Sequence, residues 1–332
     1  MRAEGKKMYK NKNVLLIAGG GTLGTYTAEE LLRLGANVDV VCPEEKVSHD
    51  EHLHFYQAYA TDEFLKELFS KKYYDGIVNF MLYPDYEIYK PIHKFLTDNT
   101  GHLIFLSSYR VYADLEHPIT EEAPMLLDVS DDEEFLAKED YALSKARAEK
   151  FIRAQTDIKN WTIVRPVISF SERRFDIFTN NHVLKYTQKG ETIYLPEIGR
   201  KLGAGLDWAG NTGKLIANLL FKEKAKGEAF TITSGQNLTW EEIADIYTDL
   251  IGTKFEWIDT DVWLSSPNYI QNSYWAAVYD RFYDRTIDNS KVLRVTGLIK
   301  DDFVSIREGL KIELDKVFKK EGGNKNESNF SK

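Results

Sequence analysis

Two pairs in this 332-residue sequence set a phenol four residues ahead of an ammonium: Tyr141 with Lys145 in "DYALSKARAE", and Tyr86 with Lys90 in "YEIYKPIHKF". On a helix, residues i and i+4 share one face, so each pair can converge on one ligand. The chemistry open to such a pair is proton transfer. A phenol titrates near pH ~10, too high for a base at neutral pH, and an adjacent ammonium favours the phenolate and draws that value down. The surroundings separate the two pairs. Ahead of Tyr141, "IFLSSYRVYA" reads as a strand delivering Ser107 and Ser108 at its carboxyl end, where Ser108 can hold the substrate oxygen whose proton the tyrosine moves. No such serine strand precedes Tyr86, and Pro91 follows Lys90 at once. Ser108, Tyr141 and Lys145 are therefore the catalytic candidates, and Tyr86 with Lys90 is structural.

A second constellation is "LLIAGGGTLGTYTAEELL". Gly19, Gly21 and Gly24 form G-x-G-x-x-G between an apolar strand and a helix, where a tight turn and bare backbone let a pyrophosphate approach the helix N-terminus. Thr22 and Leu23, inside the motif, join the glycines as cofactor-binding candidates. The acidic residue that commonly closes the second strand and binds the adenosine ribose is replaced by Cys42, followed by Pro43, Glu44 and Glu45. Lys46 is a cation within reach of a 2′-phosphate but reads as a solvated loop residue. The cofactor is NAD or NADP, with NAD slightly favoured. The histidines of "SHDEHLHF" (His49, His52, His54) lack a second His/Cys cluster and read as a polar loop, with no metal. "DVSDDEEFLAKED" reads as an exposed acidic loop that disfavours polyanionic substrates.

These residues need a frame that brings strand ends to one edge. The first half alternates short buried strands with helices: "NVLLIAG", "TYTAEELLRLG", "NVDVVC", "DEFLKELFSKK", "YDGIVNFML", a helix "YEIYKPIHKFLTDN" interrupted by Pro91, "GHLIFLSS", "YALSKARAEKFIRAQ" and "WTIVRP". Repeated β-α units imply a doubly wound parallel sheet, which binds ligands at the carboxyl ends of its strands. Beyond Pro166 the rhythm gives way to aromatic, loop-rich sequence, expected to form a smaller, mostly helical substrate lobe with "LTWEEIADIYTDLIG" as its clearest helix. The boundaries expected are a disordered leader over 1–12, a dinucleotide-binding domain over 13–166, and a substrate lobe over 167–318 with segments returning to the first domain near 205–233. The tail 319–332 is expected to be disordered.

Composition narrows the class. The apolar share is 43%, and no run approaches the ~20 apolar residues that span a bilayer. The single cysteine fits a reducing, cytoplasmic setting, and a net charge of −9 disfavours nucleic acid. The expected partner is a small-molecule substrate, with no membrane, and the chain is compatible with a homodimer.

Taken together, the sequence resembles the extended short-chain dehydrogenase/reductases of the NAD-dependent epimerase/dehydratase type, from about residue 13 to 312. The resemblance is carried by the glycine turn, by "LSSYRVY", "YALSK" and "WTIVRP", by "GLDWAGNTGKLI", and by "DNSKVLRVTGL". It implies a Rossmann-type sheet, a nicotinamide cofactor and hydride transfer at a carbinol or carbonyl carbon. It also implies Tyr141 as acid/base, Lys145 holding the nicotinamide ribose as well, and Ser108 orienting the substrate. Cys42, Phe80, Met81 and Pro166 fall at cofactor-lining places, and Arg200 and Arg281 near diphosphate-contacting ones. Departures from the family pattern are Ala18 for its first glycine, Tyr59 for its adenine-side aspartate, Phe80, Met81 and Leu82 for small residues, and Ile168 for an asparagine common in nucleotide-sugar enzymes. Family members that eliminate water place Asp-Glu directly after the catalytic Ser or Thr; here those places hold Tyr109 and Arg110.

The leading expectation is an NAD(P)-dependent oxidoreductase or epimerase of a sugar-like, nucleotide-linked or free, substrate, without 4,6-dehydratase activity. The alternatives are a reductase of small non-sugar carbonyls and a non-catalytic dinucleotide-binding or RNA-associated protein.

Overall fold

The strand Asn13–Ile17 (β1) carries four successive apolar residues, Val14 to Ile17, all fully buried. A strand buried on both faces belongs at the centre of a parallel sheet. In the computed structural model, which describes residues 8–83, 85–138, 140–177, 183–266 and 274–327, β1 lies between β2 (Asn37–Cys42) and β4 (Gly76–Asn79). The sheet continues outward through β3 (Leu53–Gln57) on one side. On the other it passes through β5 (Leu103–Leu106) and β6 (Trp161–Pro166) to the strand Glu228–Ile232. All seven strands run parallel, in the order β3-β2-β1-β4-β5-β6-(228–232). The order reverses direction between β1 and β4, the switch point at which a doubly wound sheet opens a crevice.

Helices α1 (Thr22–Leu34), α2 (Asp62–Lys71), α3 (Tyr86–Asp98) and α4 (Tyr141–Ala154) connect these strands. Gly35 ends α1 in the left-handed conformation, φ 96°, where glycine carries no Cβ penalty. The helix Ala209–Leu219 packs on α1 so closely that a Cβ on Gly213 would lie 2.6 Å from the Tyr26 carbonyl carbon, so only glycine fits there.

The chain divides into two compact units. The first comprises residues 1–167, 209–235 and 287–302; the second comprises 168–208, 236–286 and 303–332. The second unit holds the two-stranded parallel ladders 168–170 with 206–208 and 192–196 with 254–258, together with helix Trp240–Ile251. That helix starts on a capping box between Thr239 and Glu242 and stops at left-handed Gly252. Residues 287–302, placed in the second lobe on sequence, belong to the first unit because the helix Ser290–Thr296 packs on Ala209–Leu219 and on the strand 228–232.

Several local expectations are corrected. Pro91 does not interrupt α3: a proline removes one main-chain bond, and the helix is held by Asp85 capping Glu87 N–H and by buried Tyr89, His93 and Leu96. The strand expected over "YDGIVNFML" is only Gly76–Asn79, because Asn79 turns the chain by accepting from Met81 N–H. Part of "SHDEHLHF" is the edge strand β3, with His54 against the Tyr56 ring. The acidic loop carries two short helices, Leu126–Val129 and Glu133–Leu136, pinned by buried Leu126 and Phe135. Within the expected leader, Tyr9 is 1% exposed, its hydroxyl 2.9 Å from the carbonyls of Ala217 and Leu220; residues 1–7 lie outside the described ones. Of the tail expected to be disordered over 319–332, residues 319–327 continue a helix spanning Ile306–Glu327, which starts on buried Ile306, Leu310 and Leu314 at fourfold spacing, and residues 328–332 lie outside the described ones.

Candidate active site

The glycine turn joins β1 to α1, and its three motif glycines do different work. A Cβ on Gly19 would meet Leu16 Cβ at 2.7 Å, and one on Gly24 would meet the Gly19 carbonyl oxygen at 2.1 Å, so both are required by the turn's own packing. Gly21 is different: nothing lies within 4 Å of the position its Cβ would take. It is the N-cap of α1, with no side-chain cap and no acidic residue in the first turn. The partial positive charge of this helix end thus meets open space at the one bare position, a cradle that fits a pyrophosphate. Ala18, at the place of the family's first glycine, holds the left-handed conformation, φ 54°, that a glycine would adopt at less cost.

This division of roles yields a prediction. Gly21 has φ −78° and ψ −177°, extended backbone open to any residue, so Gly21→Val is expected to fold. It is also expected to weaken NADH binding by at least about tenfold, because the new side chain fills the pyrophosphate's approach. An unchanged NADH titration in the folded variant would move the cofactor site elsewhere.

On the same edge of the sheet, β5 ends at Leu106 and delivers Ser107 and Ser108, both buried. Ser108 Oγ accepts from Arg110 N–H at 3.3 Å and so caps the single 3-10 turn Tyr109–Val111. Tyr141 is the first residue of α4, whose N-cap Asp140 accepts from Ala142 N–H at 2.7 Å. One turn on, the Lys145 ammonium lies 5.7 Å from the Tyr141 ring centroid and 5.0 Å from that of Phe105, and donates to the Leu106 carbonyl at 2.6 Å. Burial pulls the Lys145 pKa down to about 8, against the opposing pull of Glu149, so the amine is still a cation at neutral pH. A second cation flanks the phenol: the Arg110 guanidinium lies 5.6 Å from the Tyr141 ring and 3.7 Å from Asp140. Catalytic candidates separated by more than thirty residues are thus gathered at the end of one strand and the start of one helix.

Beneath them runs a buried polar network that sequence reasoning missed. Glu149, two turns beyond Tyr141 on α4, accepts from Ser107 Oγ and from Arg165 at Nε (3.0 Å) and Nη2 (2.5 Å). Arg165 Nη1 donates to Tyr112 OH at 2.7 Å and to the Glu121 carbonyl at 3.0 Å, and Tyr112 OH meets Thr231 Oγ1 at 2.6 Å. Burial disfavours the Arg165 charge, but Glu149 and then Tyr112 more than offset it and raise its pKa. The network ties α4 to β5, β6 and the strand 228–232. Its one sequence signal was the spacing of Glu149, four residues after Lys145 on the same helical face.

The remaining candidates fall as follows. Thr22 and Leu23 open α1, partly buried. Cys42 closes β2, buried. Phe80 follows β4, its N–H on the Ile17 carbonyl at 2.9 Å, and Met81 is partly buried beside it. Pro166 closes β6, buried. Arg281 and Arg200 belong to the second unit. Arg281 is 4% exposed and paired with Asp176 and Asp280, while Arg200 is paired with Glu241 and Glu197 at the surface. The Tyr86 and Lys90 side chains do meet, at 4.7 Å, but Lys90 is bound to Glu87 on the helix exterior. Among the described residues, no helix is long and apolar enough to cross a membrane.

The family model of the NAD dependent epimerase/dehydratase family matches residues 15–192, more than half of the chain. No curated protein matches the sequence. Solved structures share the fold over nearly the whole length. An epimerase from Methanothermobacter thermautotrophicus has 16% identity and a TM-score of 0.70, with 93% of each chain covered. The dTDP-glucose 4,6-dehydratase of Bacillus anthracis str. Ames, in complex with NAD, has 15% identity and a TM-score of 0.67, covering 92% of this chain and 96% of that one. The UDP-glucose 4-epimerase of Thermus thermophilus, in complex with NAD, has 16% identity and a TM-score of 0.62, covering 92% and 98%. At such identities the likeness speaks for the fold, and the family is carried by the sequence match over β1 to the start of the second unit: this chain belongs to the NAD-dependent epimerase/dehydratase family.

Proposed function

We propose that the protein is a nicotinamide-dependent oxidoreductase or epimerase acting on a carbinol or carbonyl carbon of a sugar-like substrate, nucleotide-linked or free. The observation that carries this reading is the gathering of Ser108, Tyr141 and Lys145 on the sheet edge that also bears the open glycine turn. A nicotinamide dinucleotide held on that turn supplies or accepts hydride. The chain's own residues manage the proton. Ser108 holds the substrate oxygen, Tyr141 gives or takes its proton, and the Lys145 cation stabilises the phenolate between the two events.

The same site disfavours elimination of water, which needs an acid and a base beyond the tyrosine. Directly after Ser108 come Tyr109, 2% exposed, and Arg110, a permanent cation laid against Tyr141. Asp140 is engaged as the cap of α4 and as the partner of Arg110. Incubated with NAD and a panel of nucleotide-hexoses, the protein is expected to give epimerised or oxidised sugars, or hydride exchange, and no 4-keto-6-deoxy product. A product lighter by one water in mass spectrometry would overturn the exclusion of dehydration.

A second reading, reduction of small non-sugar carbonyls, is favoured by Ile168 and by the aromatic residues of the second unit. Ile168 is buried in its strand, and Trp275 stacks on Tyr279 at 5.8 Å. Mass spectrometry of small molecules released from the denatured protein separates the two readings.

A further inference from the structure

The second phenol–ammonium pair, Tyr86 with Lys90, takes no part in the proposed proton transfer, yet it forms one wall of a cleft. Arg147, Lys150 and Phe151 of α4 form the other wall, and the five side chains line a space of about 340 Å³ between α3 and α4. With 3.6 residues per turn, these three lie on the side of α4 opposite Tyr141, Lys145 and Glu149. The cleft is therefore separate from the proton-transfer site. Its lining combines two rings with three cations. Lys90 Nζ sits 4.7 Å from the Tyr86 ring centroid and 5.8 Å from that of Phe151, so one ammonium reaches both rings. Phe151 is backed by His93, ring centroids 5.7 Å apart, and burial pulls the His93 pKa down to about 4, so this imidazole adds no charge at neutral pH. Lys90 pairs with Glu87, and Lys150 with Asp128. Arg147 differs: its Nη2 donates to the Leu136 carbonyl at 3.0 Å, and no carboxylate among the described residues pairs with it. Once both ion pairs are counted, the cleft keeps one positive charge, on a planar guanidinium beside two rings. In a chain of net charge −9 that is a local reversal of sign.

We propose that this cleft binds a small aromatic carboxylate, with Arg147 holding the carboxylate and the Tyr86 and Phe151 rings packing on the ligand's ring. A guanidinium offers five N–H donors in a fork that matches a carboxylate, and the Leu136 carbonyl occupies only part of that set. Aromatic pairs add to the gain from buried area, which favours a flat ring over an aliphatic chain of the same size. The charge selects a monoanion. A phosphate monoester, roughly doubly charged at neutral pH, needs a second cation, and both lysines are already matched by Glu87 and Asp128. The volume lies at the lower end of the range for small-molecule sites, about 300–1,000 Å³, so the ligand is a compact one.

The test is titration of the full chain with 2-naphthoate, read by saturation-transfer NMR and calorimetry, with 2-naphthamide as the neutral isostere. The wild type is expected to bind the acid with a Kd of about 1 mM or tighter and the amide at least about tenfold more weakly. Arg147→Gln is expected to weaken the acid by at least about tenfold and to leave the amide unchanged, because only the anion gains from a charge-assisted bond. NADH binding is expected to stay at the wild-type level in that variant, which separates the cleft from the glycine turn. Should Arg147→Gln fail to fold, Lys150→Gln keeps the question open to measurement: it leaves the Asp128 carboxylate unmatched beside the cleft and is expected to weaken the acid by about threefold. Equal binding of acid and amide, no saturation transfer at about 10 mM naphthoate, or an affinity indifferent to these substitutions overturns the site. So does a dimer in sedimentation that Phe151→Asp turns into a monomer, since a second copy of the chain then fills the cleft.

Discussion

Replacing Tyr141 with phenylalanine is expected to reduce turnover by ~10²- to 10⁴-fold, the usual contribution of a positioned acid/base, while NADH binding stays close to wild type. The variant deletes the titrating hydroxyl and keeps the ring that lies 5.7 Å from the Lys145 ammonium and 5.6 Å from the Arg110 guanidinium. Binding through the glycine turn is untouched because that turn follows β1, two strands away from β5 in the sheet. Lys145→Ala should impair turnover and NADH binding together: it removes the cation that supports the phenolate and that, in the proposed reading, also holds the nicotinamide ribose. The control is built into the sequence. Tyr86→Phe alters a phenol with the same spacing to a lysine, but that lysine is tied to Glu87 on the outside of α3, and turnover should not change. If Tyr86→Phe were as damaging as Tyr141→Phe in one hydride-exchange assay, the choice between the pairs would be wrong.

That choice could be made on sequence because it depended on order along the chain: a buried strand, two serines at its end, then a helix opening on the tyrosine. The same local logic made β1, β2, α1 and the helix Trp240–Ile251 legible, since each is bounded by its own caps and by runs of buried residues. What escaped depends on residues distant in sequence or on the reach of a side chain. Nothing local shows that Arg110 lies over Tyr141, or that Tyr86 and Lys90 share a cleft with Arg147 and Phe151. Pro91 read as a break because its lost main-chain bond is a local cost, whereas the burial of Tyr89, His93 and Leu96 that sustains α3 is tertiary. Tyr9 read as part of a frayed leader because its partners, Ala217 and Leu220, stand more than two hundred residues away.

The same distinction makes Glu149 the residue whose loss should cost most stability, although it touches no proposed ligand. Glu149 and Arg165 are both fully buried and form a bidentate pair, with Ser107 and Tyr112 taking further bonds at either end. Removing one member of such a pair leaves an uncompensated charge in the interior, at about 3–5 kcal/mol, whereas replacing both with apolar residues of similar size is often near neutral. Glu149→Gln is therefore expected to destabilise the protein by that amount in chemical denaturation, and Arg165→Met by a similar amount. The double variant Glu149→Leu/Arg165→Met should be destabilised by far less than the sum of the two losses. The network also fixes the strand end that carries Ser107 and Ser108, so the double variant should fold yet turn over more slowly, with a larger fall in kcat than rise in KM. Additive losses across the cycle would show that the pair is not coupled. A fully active double variant would show that α4 and β5 hold Tyr141 and Ser108 in place without it.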